Sequence, residues 1–359
     1  MENIERRKYL DNIRVICILL VVIFHVIDIF NSAGSIVHYN APGIAALDTI
    51  GYAVYPWFMA ILFAVSGAAA KYSLEKRGIR GFIRERTKKL LLPFIVYMLT
   101  LSPLTAAFSF SSQNAWSDFE GVPAPVMYII MVCIGMGHLW FIAELYLTSL
   151  FSLLIYKFDK KCRLVSAGKK AGVLLLIFLA VPLYFSAQFG NFLEVMRFPF
   201  YLLMYLLGFY VFSSGEVLKK LSFYKIPLLI GALLLLPIQI YFSFGKSFSV
   251  CVNDLFPLVY SWIVILAVFA FYKEFSFSSG FFEYLNEISF SIYLFHYIPM
   301  IAAAYLFTEY LKLPVLLNYA AVFIAASAAS IAISELFRRI PGLRFLFGIK
   351  PYRRKSQIN

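Results

Sequence analysis

Charged residues are scarce in this chain of 359 residues. Asp, Glu, Lys and Arg make up 14% of it, against about 25% in typical soluble domains. Hydrophobic residues reach 62%, and the mean hydropathy is +0.80. A globule of this size needs more charge than this to cover its surface, so the composition excludes a conventional soluble enzyme, a coiled coil and a disordered chain. Lipid must be the main solvent.

Several familiar signatures are also missing. The four cysteines are scattered and form no C-x-x-C pair, so neither a disulfide framework nor a metal site is implied. There is no G-x-S-x-G elbow, no Gly-rich phosphate loop and no H-E-x-x-H motif. No internal repeat is visible, which disfavours a transporter built from duplicated halves.

What the sequence has instead is a series of long apolar runs. A helix crosses the hydrocarbon layer in about 20 apolar residues. This length predicts ten transmembrane helices, at 14–30, 50–70, 90–110, 138–156, 171–186, 198–212, 226–242, 255–271, 288–307 and 315–337. The shorter apolar stretch 125–136 is expected to be an interfacial or re-entrant piece.

The basic residues support this count. With a cytoplasmic N-terminus, 29 of the 32 Lys and Arg residues fall in inside segments, and only Arg197, Lys246 and Lys312 remain outside. Such an alternation follows the positive-inside rule, so the net charge of +13 indicates topology and not a nucleic-acid partner. We therefore predict an all-α polytopic membrane protein of about ten transmembrane helices, with both termini cytoplasmic. We expect it to form a single domain over residues 1–359, located in the cell (plasma) membrane.

The first span carries the clearest polar set. Arg14 and His25 are eleven residues apart, which brings them onto one helix face about 16 Å apart along the axis. Asp28 follows one turn later and can reach the imidazole. A neutral imidazole oriented by a carboxylate is typical of a general base, and an arginine at the inner edge suits a phosphate group. Alternatively, Arg14 is a topology anchor and His25 a helix-packing residue.

Other ionisable residues lie at bilayer depth, where they are costly and often functional. Trp140 and Glu144 share a face of the fourth span, and His138 opens that span. His296 lies in the ninth span. We predict that these four residues line an acceptor site or a cavity. The alternative for His138 and Trp140 is an interfacial aromatic belt.

The segment 71–89, expected to be a cytoplasmic loop, contains eight basic residues. Arg84, Arg86 and Lys89 stand at its end, just before the third apolar run. Such a cluster binds anionic lipid headgroups, and it would equally bind the phosphates of a nucleotide-bearing donor. The charges alone do not separate these alternatives.

These landmarks together resemble the acyltransferase family 3 membrane proteins. They are YLDNIR at 9–14 followed by the Arg14 to His25 spacing, FAVSG at 63–67, FIRERTKKLLLP at 82–93, HLWF at 138–141 and SIYLFH at 291–296. They occur in the family's order along almost the whole chain. The spacing from Trp140 to Glu144 is shorter than the family's W-x-x-x-x-E pattern.

The resemblance implies transfer of an acyl group, most often acetyl from acetyl-CoA, to a hydroxyl of a glycan or similar envelope acceptor outside the cytoplasm. Acyl-CoA is then a co-substrate, and no resident cofactor is implied. By the same resemblance Arg14 and His25 are required residues, and Arg84, Arg86 and Lys89 contact the donor. Acetyl and succinyl both remain open, as does the acceptor. The second hypothesis is a transporter or exporter of a lipid or glycan precursor.

Overall fold

The computed structural model describes residues 2–31, 43–159, 163–193 and 195–351. These residues are helical almost throughout, which confirms the expected all-α class apart from one short hairpin. The chain divides into two compact units whose segments alternate along the sequence. Of the described residues, the first unit comprises those within 1–20, 45–84 and 144–282, and the second those within 21–44, 85–143 and 283–359. A single domain over the whole chain stays a prediction.

The described residues form helices with these bounds: α1 Glu2–Asp28, α2 Ala45–Arg86, α3 Leu92–Thr100, α4 Ser102–Gln113, α5 Ala124–Ile134, α6 Trp140–Phe158, α7 Arg163–Lys170, α8 Val173–Phe178, α9 Ala180–Gln188, α10 Phe198–Leu207, α11 Gly215–Ser222, α12 Lys225–Ser243, α13 Phe248–Cys251, α14 Leu255–Ala270, α15 Gly280–Phe295, α16 Tyr297–Tyr305, α17 Val315–Arg339 and α18 Pro341–Leu346. Short π-helical turns follow α2, α10 and α16. The strands β1 Asn191–Leu193 and β2 Met196–Arg197 pair in antiparallel fashion before α10.

Proline sets the start of several helices. It stands in the first turn of α3, α4, α5, α10 and α18. In the first turn of a helix the backbone N–H groups have no helical acceptor, so proline loses no hydrogen bond there. The fixed φ of proline also suits a helix. Within the apolar run 90–110, Pro103 stands where the helix breaks at Leu101, so this run forms two helices, α3 and α4.

In the first unit, α12 packs along α14, and α2 meets α10 at a close approach. A Cβ atom on Gly67 would lie 1.9 Å from the carbonyl oxygen of Tyr205. A Cβ atom on Gly208 would lie 1.9 Å from that of Ala64. The two backbones thus touch where each presents a glycine, a device common between membrane helices.

In the second unit, α16 packs against both α17 and α4, and α4 packs against α5. A buried arginine ties the end of α17 to α15. Arg338 donates to Glu287 at 2.7 Å and to Glu335 at 2.9 Å. Pairing of this kind is what allows an arginine to be almost completely buried.

Fewer helices than the predicted ten are long and apolar enough to cross a membrane. Among the described residues, five helices qualify: Lys8–Asp28, Ala45–Thr100, Gly137–Phe158, Lys225–Ser243 and Val315–Arg339. The number rises to eight if each of three bent helix pairs counts as one span. The apolar helices Ala124–Ile134 and Leu255–Ala270 are shorter. The chain is a multi-pass membrane protein, and the count of ten and the cytoplasmic termini stay predictions.

The basic segment 71–89 is not a loop, which corrects the sequence analysis. The helix α2 continues through it to Arg86, and a π-helical turn then leads into α3. The one interruption within α2 is Gly78, whose φ of +67° lies in the region that favours glycine. The apolar pattern ends at residue 70, but helix geometry does not require apolar residues. Lys, Arg and Glu have good helix propensity, so the helix continues beyond the apolar run.

Candidate active site

Three of the chain's four histidines lie together in the second unit. His25 stands on α1, His138 in the 3₁₀ turn Gly137–Leu139 before α6, and His296 between α15 and α16. His138 and His296 are buried, and His25 is half-buried. The fourth, His38, lies outside the described residues. The structure thus brings together three residues that the sequence analysis identified one by one.

The three imidazole rings contact one another. His25 stacks on His296, with ring centroids 5.4 Å apart and planes inclined by 28°. His138 lies edge-on to both, with centroids 5.1 Å from His296 and 6.4 Å from His25. Tyr297 closes the group, with its centroid 5.2 Å from that of His25 and 4.9 Å from that of His138. Among the described residues, no group of three or more His, Cys, Asp or Glu is arranged to hold a metal ion, and this includes the three rings.

Backbone carbonyl groups at the end of α15 hold two of the rings. The Nδ1 atom of His296 donates to the carbonyl oxygens of Tyr293, at 2.8 Å, and Ile292, at 3.2 Å. The Nε2 atom of His138 donates to the carbonyl oxygen of Leu294 at 3.2 Å. The last turn of a helix leaves backbone carbonyl groups without helical hydrogen-bond partners. The 53° bend after α15 ends that helix and so leaves such carbonyl groups here. The bend therefore supplies the acceptors that fix both rings.

Glycine helps to place His138. Gly137 has a φ of +43°, a value that residues other than glycine rarely adopt. A Cβ atom at this position would lie 3.4 Å from the ring of Tyr297. On the other side, the hydroxyl of Tyr293 donates to the carbonyl oxygen of His138. Neither tyrosine was predicted from the sequence, because a tyrosine in an apolar run gives no signal that separates it from core packing.

Three further ring nitrogens are buried without a hydrogen-bond partner. They are Nδ1 of His25, Nδ1 of His138 and Nε2 of His296. Leaving a buried polar atom unpartnered costs about 1–3 kcal/mol, so such atoms mark a place where a ligand group or a proton is expected. Because a neutral ring has one N–H, the free nitrogens of His138 and His296 carry lone pairs. Each can accept a hydrogen bond or a proton from a hydroxyl.

The bond expected between Asp28 and His25 is not present at Nδ1. Asp28 is half-buried one turn after His25 on α1, as the sequence predicts. The Nδ1 atom of His25 nevertheless has no hydrogen-bond partner. Contacts with His296 and Tyr297 position the ring instead. The orienting role of Asp28 is therefore not realised at this atom.

Arg14 belongs to the first unit and lies on the same continuous helix as His25. Its Nη1 atom donates to Oδ1 of Asp11 at 2.7 Å, and the two side chains are 30% and 38% exposed. An ion pair this open to solvent contributes about 0–1 kcal/mol. The guanidinium can therefore exchange Asp11 for another anion at little cost. Its role in donor binding stays a prediction.

The predicted donor contacts lie on helical backbone beyond the kink at Gly78. Arg84 is exposed and Arg86 is half-buried. Lys89 is exposed and donates to Oε1 of Glu85, one turn earlier, at 2.7 Å. The exposure of Arg84 and Lys89 suits the binding of anionic groups from outside the protein. It does not separate donor phosphates from lipid headgroups.

Glu144 occupies a second polar centre, in the first unit. It is completely buried, and neither carboxylate oxygen has a hydrogen-bond partner. Arg197 is buried as well, and it donates to the carbonyl oxygen of Val252 and to the hydroxyl of Tyr201, each at 3.1 Å. Tyr201 interacts electrostatically with both Arg197 and Glu144. Arg197 was predicted to lie in an outer segment, but it belongs to the strand β2 before α10, where it is buried.

Trp140 stands one turn before Glu144 on α6 and belongs to the second unit. It is 7% exposed, and His138 is 4% exposed. An interfacial belt would present these rings at the protein surface. Their burial disagrees with that alternative, and it leaves both residues inside the packed helices.

The comparisons with known proteins give one match. A family model described as an acyltransferase domain matches residues 7–338 of this chain. No curated protein and no solved structure matches it.

Proposed function

The chain belongs to the acyltransferase family 3 of membrane proteins, since the family match covers nearly all of it, and we propose that it transfers an acyl group from cytoplasmic acyl-CoA to an extracytoplasmic hydroxyl. Acetyl is the simplest donor group, and a glycan or another envelope component is the proposed acceptor. The proposed location is the plasma membrane. The family match makes the chain an acyltransferase and does not favour a transporter.

The observation that carries the proposal is the histidine cluster. His25, the family's required histidine by resemblance, lies in ring contact with two further imidazoles. All three present a buried nitrogen without a hydrogen-bond partner. Acyl transfer to a hydroxyl needs a base at the oxygen, and a positioned base contributes about 10²–10⁴-fold to the rate. A membrane interior supplies such bases only when the fold builds them in.

The chemistry requires one proton to move. A base takes the proton from the acceptor hydroxyl while its oxygen attacks the thioester carbonyl carbon. A C–O bond forms, the C–S bond of the donor breaks, and the leaving thiolate takes the proton. No net proton is consumed. We assign the base to His25, because the family resemblance and the unpartnered Nδ1 atom both point to it.

The donor's phosphates would be held on the cytoplasmic side. Arg84, Arg86 and Lys89 are proposed as their contacts, together with Arg14. Guanidinium groups bind phosphate oxygens with paired hydrogen bonds, which a lysine cannot reproduce. With phosphates bound inside and the acceptor outside, neither substrate has to be flipped across the membrane.

The test does not depend on the identity of the acceptor. Envelope material from a deletion strain and its parent is compared by mass spectrometry before and after mild base. We expect the parent to carry base-labile ester mass that the deletion strain lacks and that the plasmid-borne gene restores. Identical ester content in the two strains would contradict the proposed function. An accumulated precursor without ester loss would point to the transporter alternative.

A further inference from the structure

The proton that leaves the acceptor hydroxyl must be held close to the reaction until the thiolate can take it. Resting on the acyl transfer proposed above, we propose that His138 and His296 are positioning residues that share this proton with His25. The proposal follows from the tautomers that the backbone imposes on the two rings.

The tautomers of His138 and His296 are set in opposite senses. A carbonyl oxygen can only accept a hydrogen bond, so the ring nitrogen beside it must carry the hydrogen. His296 is therefore protonated at Nδ1, against Tyr293 and Ile292, and its Nε2 atom is bare. His138 is protonated at Nε2, against Leu294, and its Nδ1 atom is bare. Each ring leaves one lone pair available inside the cluster.

A carbonyl partner also prepares these rings to carry charge. When a ring gains a proton at its bare nitrogen, its N–H bond to the carbonyl becomes charge-assisted and stronger. A catalytic histidine held by a carboxylate gains from its partner in the same way. His25 has no partner at Nδ1. The two backbone-bound rings thus supply to the cluster the support that the sequence analysis expected from Asp28.

The distances allow a shared proton. The ring centroids are 5.1–6.4 Å apart, so one hydroxyl or water can bridge two ring nitrogens. The proton leaves the acceptor oxygen for His25 and passes to the bare nitrogen of His296 or His138. When the C–S bond breaks, the same proton returns through His25 to the thiolate sulfur. One proton enters the cluster and one leaves it, and no other reactant is needed.

Isosteric substitutions separate this role from a structural one. The amide nitrogen of Asn occupies the position of Nδ1, and that of Gln the position of Nε2. His296→Asn and His138→Gln therefore keep the bonds to the backbone and remove only the bare nitrogen. The exchanged pair, His296→Gln and His138→Asn, loses both the bare nitrogens and the bonds to the backbone. We expect the first pair to keep near-normal abundance and thermal stability while ester formation falls about 10²-fold. The second pair should lose stability as well.

The tautomers can be measured without any substrate. Nitrogen-15 NMR of the full chain in lipid nanodiscs, labelled only at histidine, distinguishes Nδ1–H from Nε2–H rings. The four signals are assigned with single His→Asn variants. We expect His296 to be the Nδ1–H form and His138 the Nε2–H form. Finding either ring in the other form overturns the proposal, and so does wild-type ester content in His296→Asn and His138→Gln.

Failure of the proposed function gives a different result. If the wild-type protein forms no ester in the strain comparison, the acyl transfer itself is rejected, and the NMR spectra still report the two tautomers. If ester forms but the tautomers are reversed, the acyl transfer stands and the proton-sharing role is rejected.

Discussion

The imidazole of His25 stacks on that of His296, with centroids 5.4 Å apart, although the two residues come from opposite ends of the chain. One belongs to α1 and the other to the bend between α15 and α16. The contact joins the proposed base to a ring whose Nδ1 atom donates to two backbone carbonyl oxygens. The prediction for His25 that follows rests on this contact.

Replacing His25 tests the assignment of the base. His25→Ala should lower ester formation about 10²-fold or more, because the only side chain assigned to take the hydroxyl proton is removed. Membrane insertion and abundance should stay near normal. Ile23→Ala, on the same helix, removes a half-buried side chain without removing a proton acceptor and serves as the control. Asp28→Asn should be milder, because Nδ1 of His25 has no bond to lose.

A well-inserted His25→Ala protein that leaves wild-type ester content in the envelope would contradict the assignment. The measurement is base-labile ester per unit of membrane protein, with protein abundance determined by immunoblot.

The basic segment is tested through the donor. Replacing Arg84 and Arg86 together by Gln should raise the apparent KM for acetyl-CoA more than that for the acceptor. The two arginines are proposed to bind the donor's phosphates and to take no part in the chemical step. Lys219 and Lys220 provide a matched pair of exposed basic residues on α11. Their replacement by Gln should leave donor kinetics unchanged. Unchanged donor kinetics in the Arg84 and Arg86 variant would instead assign this segment to lipid headgroups.

Glu144 is tested as a contact for polar ligand groups. Glu144→Gln keeps the shape of the side chain, but it exchanges one of two unpartnered acceptor oxygens for an N–H donor. If those oxygens accept hydrogen bonds from acceptor hydroxyls, ester formation should fall by about one to two orders of magnitude with abundance preserved. Glu216→Gln, at an exposed position on α11, is the control. Full activity in Glu144→Gln would remove Glu144 from the acceptor site.

The close approach of α2 and α10 yields a stability prediction. Gly67→Ala would place a Cβ atom 1.9 Å from the carbonyl oxygen of Tyr205, so the helices must separate. We expect a loss of about 1–3 kcal/mol, seen as a lower thermal midpoint in detergent. Gly231→Ala is the control, because its Cβ would lie at an ordinary 3.6 Å from Ile263. Equal midpoints for the two variants would show that the approach is not tight.

The sequence predicted the helices better than their breaks. The apolar runs place helical residues at each predicted span, because hydrophobic length is a local property. The bend after Phe295 and the kink at Gly78 depend on packing and on single backbone angles. Hydropathy reports neither of them. The segment 71–89 was expected to be a loop because the apolar pattern ends at residue 70, although its backbone is helical.

In the candidate site, too, single residues were predictable from the sequence and their contacts were not. Each histidine of the cluster was identifiable alone, because an ionisable residue in an apolar run is unusual. Their mutual contact was not, since it needs the bend that frees the carbonyls of Tyr293 and Leu294. The burial of Arg197 was equally hidden, because the hairpin before α10 carries no periodic signal.

The central claim is transfer from a cytoplasmic donor to an acceptor on the other side, with His25 as the base. It is tested most directly in inside-out membrane vesicles, which expose the cytoplasmic face and enclose the natural envelope acceptors. Radiolabelled acetyl-CoA is added outside, and base-labile label is counted in the enclosed material. The account predicts label with the wild-type protein and about 10²-fold less with His25→Ala. Equal base-labile label in the two preparations would contradict it.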